Sequence, residues 1–180
     1  MKNSKELTCF KAYDVRGRLH EELNEKIAYR IGRATAQSLN AKSVALGCDA
    51  RETSTSLAKA IASGVRDTGA NVLDIGLAGT EEVYSAVSAF NTEVGIAVTA
   101  SHNPIDYNGM KIVKQGSQPL SNQEFANIKN LAETSNFVDS KDCGSVTDKK
   151  KDAREVYINK ILEFVNLKSL KPLKIVINSG

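Results

Sequence analysis

Apolar positions along the chain follow two alternating patterns. From Leu23 to Leu39 they recur every three or four residues, which predicts an amphipathic helix. Residues 43–49 form a short apolar run, which favours a buried strand, and Leu57 to Val65 again has helical spacing. The same alternation predicts a strand at 70–75, a helix at about 80–90, strands at 94–99 and 110–114, and a helix at about 121–133.

Short apolar strands that alternate with helices are typical of parallel βαβ units covered on both faces. The pattern therefore predicts an α/β fold, a three-layer α/β/α sandwich with a mainly parallel mixed sheet. Residues 106–109 (DYNG) are a predicted turn because Asn-Gly readily adopts positive φ, which makes 94–99 and 110–114 a candidate long-looped hairpin.

A polar stretch from Ser135 to Lys151 divides the chain. We expect a first domain at 1–138, a linker at 139–151, and an incomplete second domain at 152–180. That last part has one helical apolar stripe followed by a strand at 173–177, and the sequence stops where the strand would pass into a loop. A second domain interrupted after its first strand is the expectation.

Composition narrows the function classes. The chain has 180 residues, of which 41% are hydrophobic, enough for a core. Lys and Arg total 24 against 21 Asp and Glu, and the resulting charge of +3 is too small to indicate a nucleic-acid or membrane surface. The 3 cysteines have no disulfide or metal-ligand spacing, and no run approaches the ~20 apolar residues of a membrane span. We expect a cytoplasmic protein.

Ser101 follows an apolar strand, at the end of the sheet where ligands gather in such folds. A serine hydroxyl needs a base or a metal to become a nucleophile. The Gly-x-Ser-x-Gly context of a hydrolase is absent, and of the two histidines, His20 and His102, the second is adjacent to Ser101 and poorly placed for a triad. Serine hydrolysis is therefore disfavoured.

Three cations occur at other strand ends: Arg16, Arg51 and Lys111. If they converge on Ser101 they make a phosphate site, because guanidinium and ammonium groups give charge-assisted hydrogen bonds to phosphate oxygens. Taken singly, each residue has an ordinary alternative. Ser101 fits a turn before Pro104, Arg16 and Lys111 fit solvent-facing positions, and Arg51 fits an ion pair.

Four segments together resemble the α-D-phosphohexomutases in their order and spacing: 10–17 (FKAYDVRG), 47–51 (GCDAR), 99–104 (TASHNP) and 108–111 (NGMK). The likeness runs from about Thr8 to the last residue, and the segment around Ser101 is the most specific. Within that family the chain is most similar to the bacterial phosphomannomutases, a branch supported by residues 78–84, where Glu81 replaces the proline of many relatives.

The resemblance implies the first domain of a multi-domain phosphohexomutase. Phosphorylated Ser101 would give its phosphoryl group to a hexose monophosphate and recover another from the bisphosphorylated sugar, interconverting mannose 6-phosphate and mannose 1-phosphate. It also implies Mg²⁺, with the phosphate on Ser101 as one metal contact, and a hexose 1,6-bisphosphate as activator. The remaining implied roles are stabilisation or acid-base assistance by Lys111 and Arg16, and substrate or loop contacts by Tyr13, His102, Asn103 and Arg51.

Three segments that the family uses do not occur in the sequence: the acidic Asp-Gly-Asp-x-Asp-Arg metal loop, the sugar-recognition loop and the Ser/Thr-rich phosphate loop. We therefore expect the 180 residues alone to be inactive. A phosphoglucomutase of the same family and a non-catalytic domain that binds a phosphosugar or a partner remain alternatives. The sequence does not determine the oligomeric state.

Overall fold

A seven-stranded sheet flanked by helices forms the centre of the computed structural model, which describes residues 6–178. The strands are β1 (Val15–Arg18), β2 (Ser43–Cys48), β3 (Asn71–Leu77), β4 (Val94–Val98), β5 (Tyr107–Lys114), β6 (Gln118–Pro119) and β7 (Val146–Asp148). The helices are α1 (Glu25–Ser38), α2 (Ser54–Arg66), α3 (Thr80–Ala89), α4 (Asn122–Thr134) and α5 (Lys150–Leu162). Single 3₁₀ turns lie at Gln115–Ser117 and Leu167–Ser169.

The strand order is β1-β5-β4-β2-β3-β7, and β6 also pairs with β5. Strand β2 is parallel to both β3 and β4, and β3 is parallel to β7. Strand β5 is antiparallel to β1, β4 and β6, so it runs opposite to each of the strands that it pairs with. The mainly parallel mixed sheet and the β4–β5 hairpin are thus confirmed.

Alternate residues of each strand face opposite layers, as the period of two requires. In β2, Val44 and Leu46 pack into a core beneath α1, α2 and α4, whereas Ala45 packs into a second core with α3 and α5. Both faces of the sheet are covered, which is why its central strands are apolar throughout. The three-layer α/β/α sandwich is confirmed.

The prediction of a turn at Asn108-Gly109 is wrong, because both residues lie inside β5. Gly109 is needed for close approach and not for positive φ. A Cβ at Gly109 would lie 2.0 Å from the Val15 carbonyl oxygen on the neighbouring strand β1. Strand β1 itself was not predicted.

Part of the predicted linker belongs to the sheet, since β7 pairs with β3. Helix α5 begins at Lys150, earlier than its apolar stripe suggested, and packs on α3 and β3. Where the first domain ends stays a prediction.

The predicted strand at 173–177 is not formed. Val176 is 87% exposed and, within residues 6–178, no strand lies beside this segment to pair with it. The end of the predicted second domain at 179–180 lies outside the described residues. None of the helices described is long and apolar enough to cross a bilayer.

Candidate functional site

Ser101 lies three residues beyond the end of β4 and is exposed. Its φ of 55° is in the left-handed region, which costs free energy for a residue with a Cβ. The turn is held by hydrogen bonds: the Ser101 N–H donates to Thr99 Oγ1 at 2.8 Å, and the Asn103 side chain donates to the Ala100 carbonyl at 2.8 Å. The chain therefore presents the hydroxyl on a tight, backbone-anchored loop.

The imidazole of His102 is the one side chain among residues 6–178 that lies within hydrogen-bonding distance of this hydroxyl. Ser101 Oγ lies 3.3 Å from His102 Nδ1, at the long end of hydrogen-bonding range, and both groups are exposed. No carboxylate among residues 6–178 hydrogen-bonds to His102, so nothing orients the ring as a general base. The arrangement does not form the Ser-His-Asp geometry of a hydrolase.

Arg51 reaches the Ser101 loop from the loop that follows β2. Its Nη1 donates to the carbonyls of Pro104 at 2.8 Å and Tyr107 at 3.2 Å. Its Nη2 donates to the carbonyls of Ser101 at 3.1 Å and Asn103 at 2.5 Å. A single guanidinium thus ties together four carbonyls of residues 101–107.

A polar network that the sequence did not reveal supports Arg51. Asp49 Oδ1 accepts from the Arg51 backbone N–H at 3.0 Å and from Ser54 Oγ at 2.5 Å. The Asn108 amide, on a fully buried residue, donates to Ser54 Oγ at 2.9 Å and to Thr53 Oγ1 at 3.0 Å. The network joins the start of α2 to the strand that follows the Ser101 loop, and the spacing of its members along the chain gave no signal for it.

Arg16, on β1, is buried beside the same loop, with 8% of its surface exposed. Its Nη1 donates to the carbonyls of Thr99 at 2.7 Å and Val15 at 2.9 Å, and its Nη2 lies 3.1 Å from Asp14 Oδ2. Because Thr99 also anchors the Ser101 amide, Arg16 is connected to the Ser101 turn through a single residue.

Lys111 shares a face of the sheet with Arg16. Arg16 is the register partner of Gly109, and Lys111 lies two residues further along β5, opposite Ala97. Side chains two apart on a strand lie on the same face. Lys111 makes no hydrogen bond or ion pair within residues 6–178, so its ammonium group is uncommitted. Tyr13 lies before β1 and is 83% exposed.

The thiols nearest this region are poor nucleophiles. Burial raises the pKa of the Cys9 thiol to about 11 and also raises the pKa of Cys48, which ends β2 beside Asp49. Both therefore stay protonated at neutral pH. Among the described residues, no group of three or more His, Cys, Asp or Glu side chains is placed to hold a metal ion.

A cleft lies beside the Ser101 loop and not at it. It has a volume of about 800 Å³ and runs along α2 from Asp49 and Arg51 to Lys150, with an apolar floor that includes Leu46 and Val72. Neither Ser101 nor Lys111 lines it. The cleft is therefore separate from Ser101 and Lys111.

Residues 7–139 match the family model described as phosphoglucomutase/phosphomannomutase, alpha/beta/alpha domain I. The chain is 49% identical over 175 residues to a phosphomannomutase of Salmonella montevideo, covering 97% of this chain and 38% of that protein. It is 53% identical over 133 residues to a phosphomannomutase of Klebsiella pneumoniae, covering 73% of this chain and 85% of that sequence. The chain spans about two fifths of the length of most of these relatives.

Two solved structures are similar to this chain in fold. A phosphoglucomutase/phosphomannomutase family protein from Burkholderia thailandensis superposes with a TM-score of 0.76 at 28% identity, covering 86% of this chain and 35% of that one. A second structure, from Thermus thermophilus, has a TM-score of 0.73 at 24% identity, with 88% and 36% coverage, and supports the fold alone.

Proposed function

The chain belongs to the phosphoglucomutase/phosphomannomutase family, and from that premise we propose that it forms the phosphoserine-bearing part of a phosphomannomutase, with Ser101 as the phosphoryl carrier. The observation that carries the proposal is the exposed Ser101 hydroxyl, held on a loop that two arginines anchor through backbone carbonyls. The relatives that are named phosphomannomutase support the sugar assignment.

The proposed reaction has two transfers, each of a different phosphoryl group. First, the bond between phosphorus and Ser101 Oγ breaks and Ser101 Oγ takes up a proton, while a hydroxyl oxygen of mannose 6-phosphate or mannose 1-phosphate forms a bond to the same phosphorus and loses its proton. The sugar then carries two phosphates. After it reorients, the bond between its other phosphorus and the sugar oxygen breaks while Ser101 Oγ forms a bond to that phosphorus and loses its proton, and the released sugar oxygen takes up a proton. A hexose 1,6-bisphosphate restores the carrier in the same way whenever Ser101 has lost its phosphate.

Two cations on one face of the sheet, Arg16 and Lys111, support the proposal. Charge on a transferring phosphoryl group is spread over its oxygens, and fixed positive groups stabilise it. Lys111 has no partner within residues 6–178 and is the group we assign to that role, with acid-base assistance to the sugar hydroxyl. Beyond the Val15 and Thr99 carbonyls and Asp14 Oδ2, Arg16 meets no other acceptor within residues 6–178, so it retains one N–H group on Nη2 and one on Nε, and we assign it to the same phosphoryl group. His102, Asn103 and Tyr13 complete the proposed loop and substrate contacts.

The phosphate on Ser101 would be one ligand of Mg²⁺, which would neutralise charge on the transferring group. Among the described residues, no group of three or more His, Cys, Asp or Glu side chains is placed to hold that ion. We therefore propose that the complete protein supplies the carboxylate ligands of this ion and that the 180 residues alone show no turnover. We also propose that the enzyme works in the cytoplasm. Phosphoglucomutase activity is the alternative substrate assignment, because the residues described here do not distinguish the two sugars.

Turnover of mannose 1-phosphate and glucose 1-phosphate by the complete protein tests the proposal, in a coupled assay with a hexose 1,6-bisphosphate present. Ser101→Ala should lower kcat by roughly 10⁴-fold or more, because the carrier oxygen is lost. Ser135→Ala is the matched control, since Ser135 is also exposed and also has a positive φ, of 54°. Binding of the sugar phosphates without turnover by the unaltered protein would favour the non-catalytic alternative.

A further inference from the structure

We infer that Arg51 is a positioning residue, which fixes the backbone of the Ser101 loop, and that it does not bind the substrate's phosphate. This inference rests on the proposed function, because the positioned group is the proposed phosphoryl carrier. It concerns the geometry of residues 101–107, which Arg51 contacts from a separate loop.

Four of the five donors of Arg51 are committed to backbone carbonyls. A guanidinium has five N–H groups, two on each Nη and one on Nε. The two on Nη1 have the Pro104 and Tyr107 carbonyls as acceptors, and the two on Nη2 have the Ser101 and Asn103 carbonyls. The Nε lies 3.7 Å from Asp49 Oδ2, an ion-pair distance. That distance is too long for a hydrogen bond, so only the Nε N–H, which faces the Asp49 carboxylate, is left, and Arg51 cannot hold a phosphate with two parallel donors.

Asp49 fixes the direction from which Arg51 enters the loop. Its Oδ1 accepts the Arg51 backbone N–H and the Ser54 hydroxyl, while Oδ2 faces the Arg51 Nε. The side chains of Arg51 and Asp49 are 15% and 25% exposed, so the pair is largely shielded from water. Shielding strengthens the interaction and makes an alternative, outward-facing rotamer of Arg51 costly.

Ser101 has the conformation that needs such support. Its φ of 55° is not one that a serine adopts readily, and its carbonyl is one of the four that Arg51 holds. Phosphoryl transfer depends on the placement of the reacting oxygen, and a displacement of about 1 Å can cost about 100-fold in rate. Loosening the four carbonyls should therefore reduce transfer without reducing sugar binding.

Arg51→Lys in the complete protein tests this directly. Lysine keeps the positive charge but has three donors on one atom, so it cannot span four carbonyls. We expect kcat for the phosphosugar to fall about 100-fold while KM changes by less than about threefold. Backbone hydrogen exchange of residues 99–107, followed by mass spectrometry, should become faster.

Arg30→Lys is the matched control. Arg30 also donates to two backbone carbonyls, those of Ala132 at 2.6 Å and Glu133 at 2.8 Å, but it does so at the end of α4. It should leave kcat and the exchange of residues 99–107 unchanged. Asp49→Asn provides a second, milder variant, with an intermediate rise in exchange expected, if Arg51→Lys fails to fold.

Two results would overturn the inference. A rise in KM of tenfold or more with kcat retained would make Arg51 a ligand of the substrate's phosphate. Exchange of residues 99–107 that is the same in Arg51→Lys and the unaltered protein would remove its positioning role. If the unaltered protein has no mutase activity, the proposed function fails, but the exchange comparison still decides whether Arg51 orders the loop.

Discussion

Gly109 sits where two backbones and a buried guanidinium meet. A Cβ at this position would lie 2.0 Å from the Val15 carbonyl oxygen and 2.5 Å from Arg16 Nη1. The first of these atoms is backbone and the second is fixed by hydrogen bonds to Val15 and Thr99, so neither can move easily. The position of Arg16 beside the Ser101 turn therefore depends on the absence of a side chain on β5.

Gly109→Ala should destabilise the protein and displace Arg16. Overpacking of this kind typically costs about 1–3 kcal/mol, which urea unfolding would measure. Gly79→Ala is the control, because a Cβ there would meet nothing closer than 3.6 Å. Equal unfolding midpoints for the two variants would show that β1 and β5 do not pack as described.

For single residues, the sequence predicted features that depend on neighbours along the chain. It did not predict contacts with backbone atoms of residues that are distant in sequence. The segment around Ser101 could be recognised because its residues are contiguous. The partners of Arg51 could not, since they are carbonyl oxygens that any residue type supplies. Asn108-Gly109 was misinterpreted for a similar reason: a glycine needed for close approach looks the same in sequence as one needed for positive φ.

Helix α4 begins with a capping box that also connects it to the sheet. Ser121 Oγ and the Ser121 N–H both donate to Glu124 Oε2 at 2.7 Å, and the Glu124 N–H donates back to Ser121 Oγ at 3.3 Å. Lys114, at the end of β5, donates to Glu124 Oε1 at 2.9 Å. The hydrogen bonds from Ser121, and then that from Lys114, lower the pKa of Glu124 to about 2.

Because the folded pKa of Glu124 is depressed below its ordinary value of 4.5, its contribution to stability is complete above pH 4.5. That contribution is lost as the pH falls towards 2. We expect a carboxyl titration followed by NMR to give a midpoint of about 2 for Glu124, and Ser121→Ala to move it towards 4.5. A midpoint near 4.5 in the unaltered protein would contradict the cap.

The elements that could be predicted are those with a full apolar period. Helices α1 to α4 and strands β2, β3 and β4 each have several residues in the core, so their spacing is visible in the sequence, whereas α5 contributes only Ala153. Strands β1 and β7 have 4 and 3 residues, and β7 is exposed throughout. Each of them forms because a strand that is distant in sequence pairs with it, and the local sequence pattern does not show this pairing.

Helix α5 is attached to the sheet on the side of α3. Ala153 is 3% exposed and packs with Val83 and Val87 of α3, while Arg154 Nε lies 2.9 Å from Glu82 Oε1. This packing favours placing α5 with the first domain, and not with the predicted second one. The polar residues before α5 suggested a linker because an exposed edge strand and a loop have the same composition.

Ala153→Asp tests whether α5 belongs to the first domain or to the predicted second one. Burying an unpaired carboxylate in the second core should lower the free energy of unfolding of the first domain by about 3 kcal/mol. Asn159→Asp is the control, since it adds the same charge at an exposed position of α5. If Ala153→Asp unfolds at the same urea concentration as this control, α5 contributes nothing to the first domain.

The central claim for the whole molecule is that Ser101 carries the phosphoryl group. Intact mass spectrometry of the complete protein after incubation with a hexose 1,6-bisphosphate, with fragmentation to locate the modification, tests it most directly. We predict the addition of one phosphoryl group, located on Ser101 and removed again by excess mannose 1-phosphate. A protein that gains no phosphate, or gains it on another residue, would contradict the claim.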